Sequence, residues 1–547
     1  MQHLYNNEFI QKDIFPIKII ETQGSITNAD SLLKNKELQI TTNEEDVTSL
    51  KNSTLQKNAY IVLDFGKEIH GRGRILTYTV EGETPARMRI TYGESVSEAM
   101  STPGIKGATN DHSIRDAQYL FPDYSDMSFN DSGFRFIKIE LLSKNTEIKI
   151  KAVTAVSVMR DIPYLGSFHC SDDTINKIFD TCAYTCHLNM QQYIWDGIKR
   201  DRLVWVGDMH PEMLTVKTVF GPNEIIDKSL AFMRKNTPLP SWMNGMPTYS
   251  LWWLQILYDW YFYTGNEEFL EENKEYAIGL IKIVSKLVNE DGSDNLPSYF
   301  LDWPCNNKSQ GISGSRALLA LVLKTSSLLA EKFELPELKE KLTEKYKILV
   351  SSDINSYGAK QVTAFLGLSG WKDISLCGQE ILADGCSGWS TFMSYYLLKS
   401  ASCYDMNKTL SALRDYYGGM LNMGATTFWE DFDLSWTENC APVDRLPVKG
   451  ENDIHADFGA FCYKGLRHSL CHGWASGPTA FLIEEVLGIR VTEVGCKTVE
   501  IKPSLGSLEF AEGSFPTPYG NISVKCTKTD GDIKIEYSAP NEIKVVL

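Results

Sequence analysis

Residues 171–186, SDDTINKIFDTCAYTC, mark the point where the pattern of this chain changes. Ile175, Ile178, Phe179, Cys182 and Cys186 recur at three- and four-residue steps, the single apolar stripe of a helix. Ser171 is the expected N-cap, and Asp172 and Asp173 suit the positive end of the helix dipole. Upstream of about residue 165 the period is two instead. In residues 87–92 (RMRITY), Met88, Ile90 and Tyr92 alternate with Arg87, Arg89 and Thr91, as in a half-buried strand. Residues 59–65, 74–80, 134–142 and 147–158 are similar runs bounded by Gly, Asp and Ser, and together they predict a sandwich. The first fifty residues are assigned to the same unit.

Downstream, helical spacing predicts helices at 223–236, 249–264, 273–289, 312–333, 336–350, 372–383, 387–400, 407–422 and 474–487, with a short one after Asp208. A ring of paired helices would consume such a set. The long stretches 291–311 and 424–470 have the lengths of functional loops. From about 490 the alternation returns in Val499/Ile501, Ile522/Val524 and Ile533/Ile535/Tyr537. The fold class is therefore multidomain α and β, with units at 1–165, 166–489 and 490–547.

Composition narrows the function. The 547 residues carry 54 basic and 70 acidic side chains, a net charge of −16, and the isoelectric point is near 5.2. Such a balance argues against a nucleic-acid or anionic-membrane partner. The longest unbroken apolar run, 317–323, is far short of the roughly 20 residues of a membrane span. The opening MQHLYNNEFIQKDIF has neither a basic nor an apolar leader region. Twelve cysteines without a C-x-x-C pair suit a reducing compartment, so the expected location is the cytoplasm.

The densest chemistry lies in residues 195–212, WDGIKRDRLVWVGDMHPE, which set Asp196, Asp201, Asp208 and Glu212 among Lys199, Arg200, Arg202 and His210. Apolar neighbours would raise some carboxyl pKa values and the arginines would lower others, as an acid–base pair requires. A charged loop with internal ion pairs would carry the same composition. Residues 426–436, TTFWEDFDLSW, place Glu430, Asp431 and Asp433 between aromatics, and 298–304, SYFLDWP, repeat the theme with Asp302 and Trp303. An aromatic helix–loop junction reads similarly. Taken together, three acid-plus-aromatic loops favour a carbohydrate site worked by two carboxyl groups. His468 and His472 lack the Glu of a zinc-protease helix, and Trp252, Trp253 and Trp260 suit a core better than a ligand. No metal and no cofactor is expected; a structural calcium would find no evident run of ligands.

These motifs resemble the bacterial α-L-rhamnosidases, inverting glycoside hydrolases. LDFGKEIHGR (63–72), ITYGESVSEA (90–99) and DSGFRFIKIELL (131–142) are similar to that family's accessory β-domain. DGIKRDRLVWVGD (196–208), FLDWP (300–304), TTFWEDF (426–432) and SLCHGWASGP (469–478) resemble its catalytic barrel, and PSLGSLEFAEGSFPTPYGNISV (503–524) its C-terminal domain. The resemblance implies a central (α/α)6 barrel flanked by an N-terminal β-sandwich and a small C-terminal β-sandwich. It implies Asp201 as general acid and Glu430 as general base, with Asp196, Arg200, Trp205, Asp208, Asp302, Trp303, Trp429 and His472 binding substrate. The substrate would be a terminal α-L-rhamnosyl or related deoxy-sugar glycoside. Another glycosidase or a phosphorylase on the same barrel, or a carbohydrate-binding protein that has lost catalysis, would share these features. One departure stands out: the family commonly writes Arg-Asp-Glu-Arg with Glu as the acid, whereas this chain has Arg200-Asp201-Arg202. Asp is one methylene shorter, and Glu212 is the reserve carboxyl.

Overall fold

The computed structural model describes residues 8–55, 57–529 and 532–547. The first seven residues, part of the stretch read for a leader, lie outside it. Among the described residues there are 13 α-helices and several β-sheets.

The alternating segments near the N-terminus all join one ten-stranded antiparallel sheet, and the strands Phe9–Ile14, Lys18–Gln23, Ser25–Thr27 and Thr48–Asn52 of the first fifty residues pair into it. Two runs expected as separate strands, 59–65 and 74–80, form one long strand, Tyr60–Glu81. The interruption seen in the sequence is a change of partner. Its first half pairs with Lys18–Gln23 and Ser132–Leu141, its second with Thr146–Arg160, and the register shifts between Asp64 and Ile69. Gly66 lies in that shift at φ 86, a conformation that side-chain-bearing residues avoid. This sheet has its own core, in which the Tyr92 and Phe134 rings stack 4.3 Å apart.

The helix expected after Ser171 runs Asp173–Asn189, and its cap is Asp172 rather than Ser171: the carboxylate accepts from Thr174 N at 2.9 Å and Ile175 N at 3.2 Å. Asp serves here because its second oxygen also reaches Arg414, at 2.8 Å. Six helices then contact one another in closed sequence: Met209–Thr215, Pro247–Thr264, Lys308–Lys332, Lys360–Leu368, Ser394–Ser402 and Pro478–Phe481, the last returning to the first. Pro247–Thr264 is apolar on nearly every face, and Trp252, Trp253 and Trp260 are all core. Lys308–Lys332 is long and apolar enough to cross a bilayer, but two-thirds of its apolar window is packed inside the protein. Other helices lie outside the ring, among them Pro336–Val350 on Lys308–Lys332 and Ile374–Ile381 on Lys360–Leu368. Gly378 allows the approach of Ile374–Ile381 to Ser394–Ser402, since a Cβ there would lie 2.5 Å from Ser400 O.

Several details differ from the periodicity, among them the helix expected at 387–400, which runs Ser394–Ser402. Lys360–Leu368 (KQVTAFLGL) was not foreseen, because so short and apolar a stretch shows no polar face. The helix expected at 273–289 runs Glu267–Val284, capped by Asn266. The one expected at 474–487 is broken into a 3₁₀ turn, the α-helix Pro478–Phe481 and a π turn. Strand Ser167–Cys170 crosses to pair with Phe510–Thr517 in the C-terminal sheet, and one continuous core joins the helices to that sheet.

Candidate active site

The acid-rich loop is tied at both ends by Asp196. Its Oδ1 accepts from Leu203 N at 2.9 Å, and its backbone N–H donates to Leu203 O at 3.1 Å, closing residues 196–203 into a hairpin-like loop. Gly473 N donates to Asp196 O at 2.7 Å, and Gly197 bridges His472, so this loop lies directly on the late segment 469–478. Two glycines permit the fit. A Cβ on Gly207 would meet the Tyr249 ring at 2.5 Å, and one on Gly473 would lie 1.6 Å from Glu212 Oε1.

Between these loops is a cavity of about 340 Å³, lined by Asp196, Arg200, Asp201, Trp205, Asp208, Trp303, Glu430 and His472 among the residues foreseen from sequence. Arg200 sits between two carboxylates, donating through Nη1 to Asp201 Oδ1 at 3.1 Å and through Nη2 to Glu430 Oε1. Glu430 Oε2 accepts from Ser469 N at 3.1 Å. Burial alone would push the Glu430 carboxyl up, but the Arg200 guanidinium, with His472 and His468 nearby, outweighs it and holds the group below its ordinary range. Glu430 is therefore the ionised acid of the site.

Asp208, Asp196 and Glu212 go the opposite way. Burial pushes Asp208 up, against the pull of His472 (Nε2 to Oδ2, 3.3 Å) and the Tyr249 hydroxyl, which donates to Oδ1 at 3.0 Å. Burial likewise drives Asp196 and Glu212 upward, and the neighbouring Asp208 adds to it in both. Desolvation pulls His472 down, yet Glu430 and Asp208 reverse this and favour its charged form. Trp205 and His472 line the cavity, and one buried nitrogen of each, Trp205 Nε1 and His472 Nδ1, has no hydrogen-bond partner among the described residues. Unsatisfied buried donors and acceptors are costly.

Three residues read from the sequence lie elsewhere. Trp429 is only 1% exposed and packs edge-on against Phe432 and His468 behind the cavity; its backbone, not its ring, serves the site by carrying Glu430. Asp302 is buried beneath Trp303: its carboxylate caps Trp303 N at 2.8 Å and accepts from Ser390 Oγ, and burial raises it to about 7. Glu212 lies behind Gly473 and does not line the cavity. Conversely, Tyr249, Phe300, Met246, Asn244, Cys462, Arg467 and Trp474 line it without having been singled out. Trp474 had a signal, since it lies within the SLCHGWASGP stretch; its indole donates to Glu430 O at 3.0 Å.

Glu94, Glu98 and His455 are close enough together to hold a metal ion. A cation is already in place, because Lys199 Nζ lies 2.9 Å from Glu94 and 3.4 Å from Glu98. His455 is engaged through both nitrogens, with Ser95 Oγ at 2.7 Å and His468 O at 2.9 Å.

Residues 163–344 match the family model described as the bacterial alpha-L-rhamnosidase 6 hairpin glycosidase domain, and residues 488–547 match the bacterial alpha-L-rhamnosidase C-terminal domain. Both matched models describe domains of bacterial α-L-rhamnosidases, and together they span less than half of the chain. An α-L-rhamnosidase of Alteromonas sp. (strain LOR) is 23% identical over 589 residues, covering 95% of this chain and 59% of that protein. The chain thus spans less than two-thirds of that relative's length. The crystal structure of the GH78 family rhamnosidase of Bacillus sp. GL1 has the same fold, with a TM-score of 0.74 at 21% identity over 92% of this chain and 54% of that one. The rhamnosidase from Klebsiella oxytoca with rhamnose bound gives a TM-score of 0.66 at 16% identity, covering 87% of this chain and 95% of that one.

Proposed function

We propose that this chain is a glycoside hydrolase that removes terminal α-L-rhamnosyl, or closely related deoxy-sugar, residues with inversion at the anomeric carbon. The observation that carries this reading is the placement of Asp201 and Glu430 in one cavity on a shared guanidinium, with Glu430 held ionised. One guanidinium and two hydrogen bonds keep the nearest carboxylate oxygens within about 8 Å, a bound that admits the roughly 6.5–9.5 Å of an inverting pair and the roughly 5–5.5 Å of a retaining one, so inversion is taken from the resemblance and is the point to test. In this mechanism Asp201 is the group that gives a proton to the leaving oxygen. Glu430 takes a proton from the water that attacks the opposite face, on a lone pair that Arg200 and Ser469 leave free.

The rest of the cavity suits such a sugar. Met246, Phe300 and Trp303 offer apolar surface for a methyl group, while Asp208 and His472 offer polar groups for hydroxyls. Its volume, near the small end of the about 300–1,000 Å³ typical of ligand sites, favours a terminal ring. We read the closed sequence of helix contacts as an (α/α)6 barrel, 166–489, between sandwich domains 1–165 and 490–547. All twelve cysteines are unpaired, which supports a reducing compartment.

The test is proton NMR of the first-formed sugar from an aryl α-L-rhamnoside. The β anomer is expected. Retention would overturn the mechanism, sugar 1-phosphate formed in phosphate buffer would indicate a phosphorylase, and binding by calorimetry without turnover would make the chain a binding protein.

A further inference from the structure

The turn that carries Asp201 is moulded by the N-terminal β region as much as by the helices. Asp201 and Arg202 both adopt left-handed backbone, at φ 56 and 57, and the turn is closed by Arg202 N donating to Arg200 O at 2.8 Å. Two consecutive side-chain-bearing residues hold that conformation only where their surroundings over-determine it. Here the surroundings come from far upstream. Ser113 Oγ donates to Lys199 O at 3.1 Å, the Arg202 guanidinium donates to Asp131 O at 3.3 Å, and Gly133 lets the loop approach so closely that a Cβ would lie 2.9 Å from Lys199 N.

The contact that reaches the carboxyl-bearing residue itself is His112. The Asp201 backbone N–H donates to His112 Nδ1 at 2.8 Å, and the same nitrogen lies 3.2 Å from Asp201 Oδ1. Accepting that N–H requires the neutral ring with its proton on Nε2. His112 is itself held at φ 64, so the loop aims the ring rather than leaving it free.

We propose that His112 is a positioning residue for the general acid, supplied to the helical site by the N-terminal β region. This rests on the assignment of Asp201 as the acid. An Asp has one methylene less reach than the Glu usual at this place, so the position of its backbone decides whether its proton meets the leaving oxygen. His112 helps set that position by accepting the Asp201 backbone N–H. Its side chain is 41% exposed, so truncating it removes little packing.

The test uses the full chain with His112→Ala, His112→Asn and Asp201→Asn. Asn offers an amide oxygen close to where Nδ1 sits and tolerates left-handed backbone. Each variant is assayed on 4-nitrophenyl α-L-rhamnoside and on a rhamnosyl disaccharide, whose leaving group needs protonation, with melting temperature recorded alongside. A displacement near 1 Å costs about 100-fold, so His112→Ala should lose about 10- to 100-fold in kcat/KM on the disaccharide and only a few-fold on the aryl substrate. His112→Asn should recover most of the loss, and melting should change little. Equal losses on both substrates, no loss on either, or no recovery in His112→Asn would overturn the positioning role. If Asp201→Asn itself fails to discriminate between the substrates, the acid assignment is what falls. If Asp201→Asn discriminates and His112→Ala does not, only the role of His112 falls.

Discussion

Replacing Arg200 with Met should move the acid limb of the pH–rate profile. In the folded protein two forces act on Glu430: burial raises its pKa, and the Arg200 guanidinium, helped by His472 and His468, more than cancels the rise. A close opposite charge is worth about 1–3 pK units. Without Arg200 the burial effect is opposed only by the two histidines and the Ser469 N–H, so the Glu430 pKa rises and the limb on which the base becomes protonated shifts alkaline by about 1–3 units. Stability follows the same linkage. A carboxyl depressed in the folded state stabilises above its unfolded pKa, about 4.3 for Glu, and that contribution disappears as pH falls through the lower folded value. In Arg200→Met that contribution shrinks as the folded pKa moves up towards or past the unfolded one. Breaking a buried pair costs about 3–5 kcal/mol, so melting should fall as well. Arg200→Lys keeps a charge but not the two-pronged geometry, and should fall between. The assay is kcat/KM against pH on an activated aryl rhamnoside, where leaving-group protonation matters least and the base is isolated. A folded Arg200→Met variant with an unmoved acid limb would refute the electrostatic argument for Glu430.

Three other outcomes follow from the packing. Trp303→Ala and Trp205→Ala should raise KM with little change in melting temperature, whereas Trp429→Ala, which empties a core site, should cost about 3–5 kcal/mol of stability; denaturant titration and steady-state kinetics separate the two. Gly473→Ala should destabilise the protein by about 1–3 kcal/mol, because its methyl would collide with Glu212, and Glu212→Ala in the same chain should relieve much of that loss. Asp201→Asn should hurt substrates with poor leaving groups far more than activated ones, while Glu212→Gln, altering a carboxyl behind the cavity wall, should treat both alike; the opposite pattern would make Glu212 the acid.

Local periodicity carried much of this protein. The change from period two to period three-to-four near 170, and back near 490, is written in side-chain order, because a strand alternates its faces and a helix returns to the same face every three or four residues. The acid-and-aromatic loops were likewise legible from composition, and eight of their residues meet at the cavity. Tertiary structure decided the rest. Trp429, Trp205 and Trp303 look alike in sequence, yet Trp429 is sealed against Phe432 while the other two face the cavity. Glu430 and Arg200 lie 230 positions apart, and His112 and Asp201 lie 89 apart. The ionisation of a carboxyl and the aim of a turn depend on burial and on charges brought close by folding, and such distances leave no mark on the order of neighbouring residues.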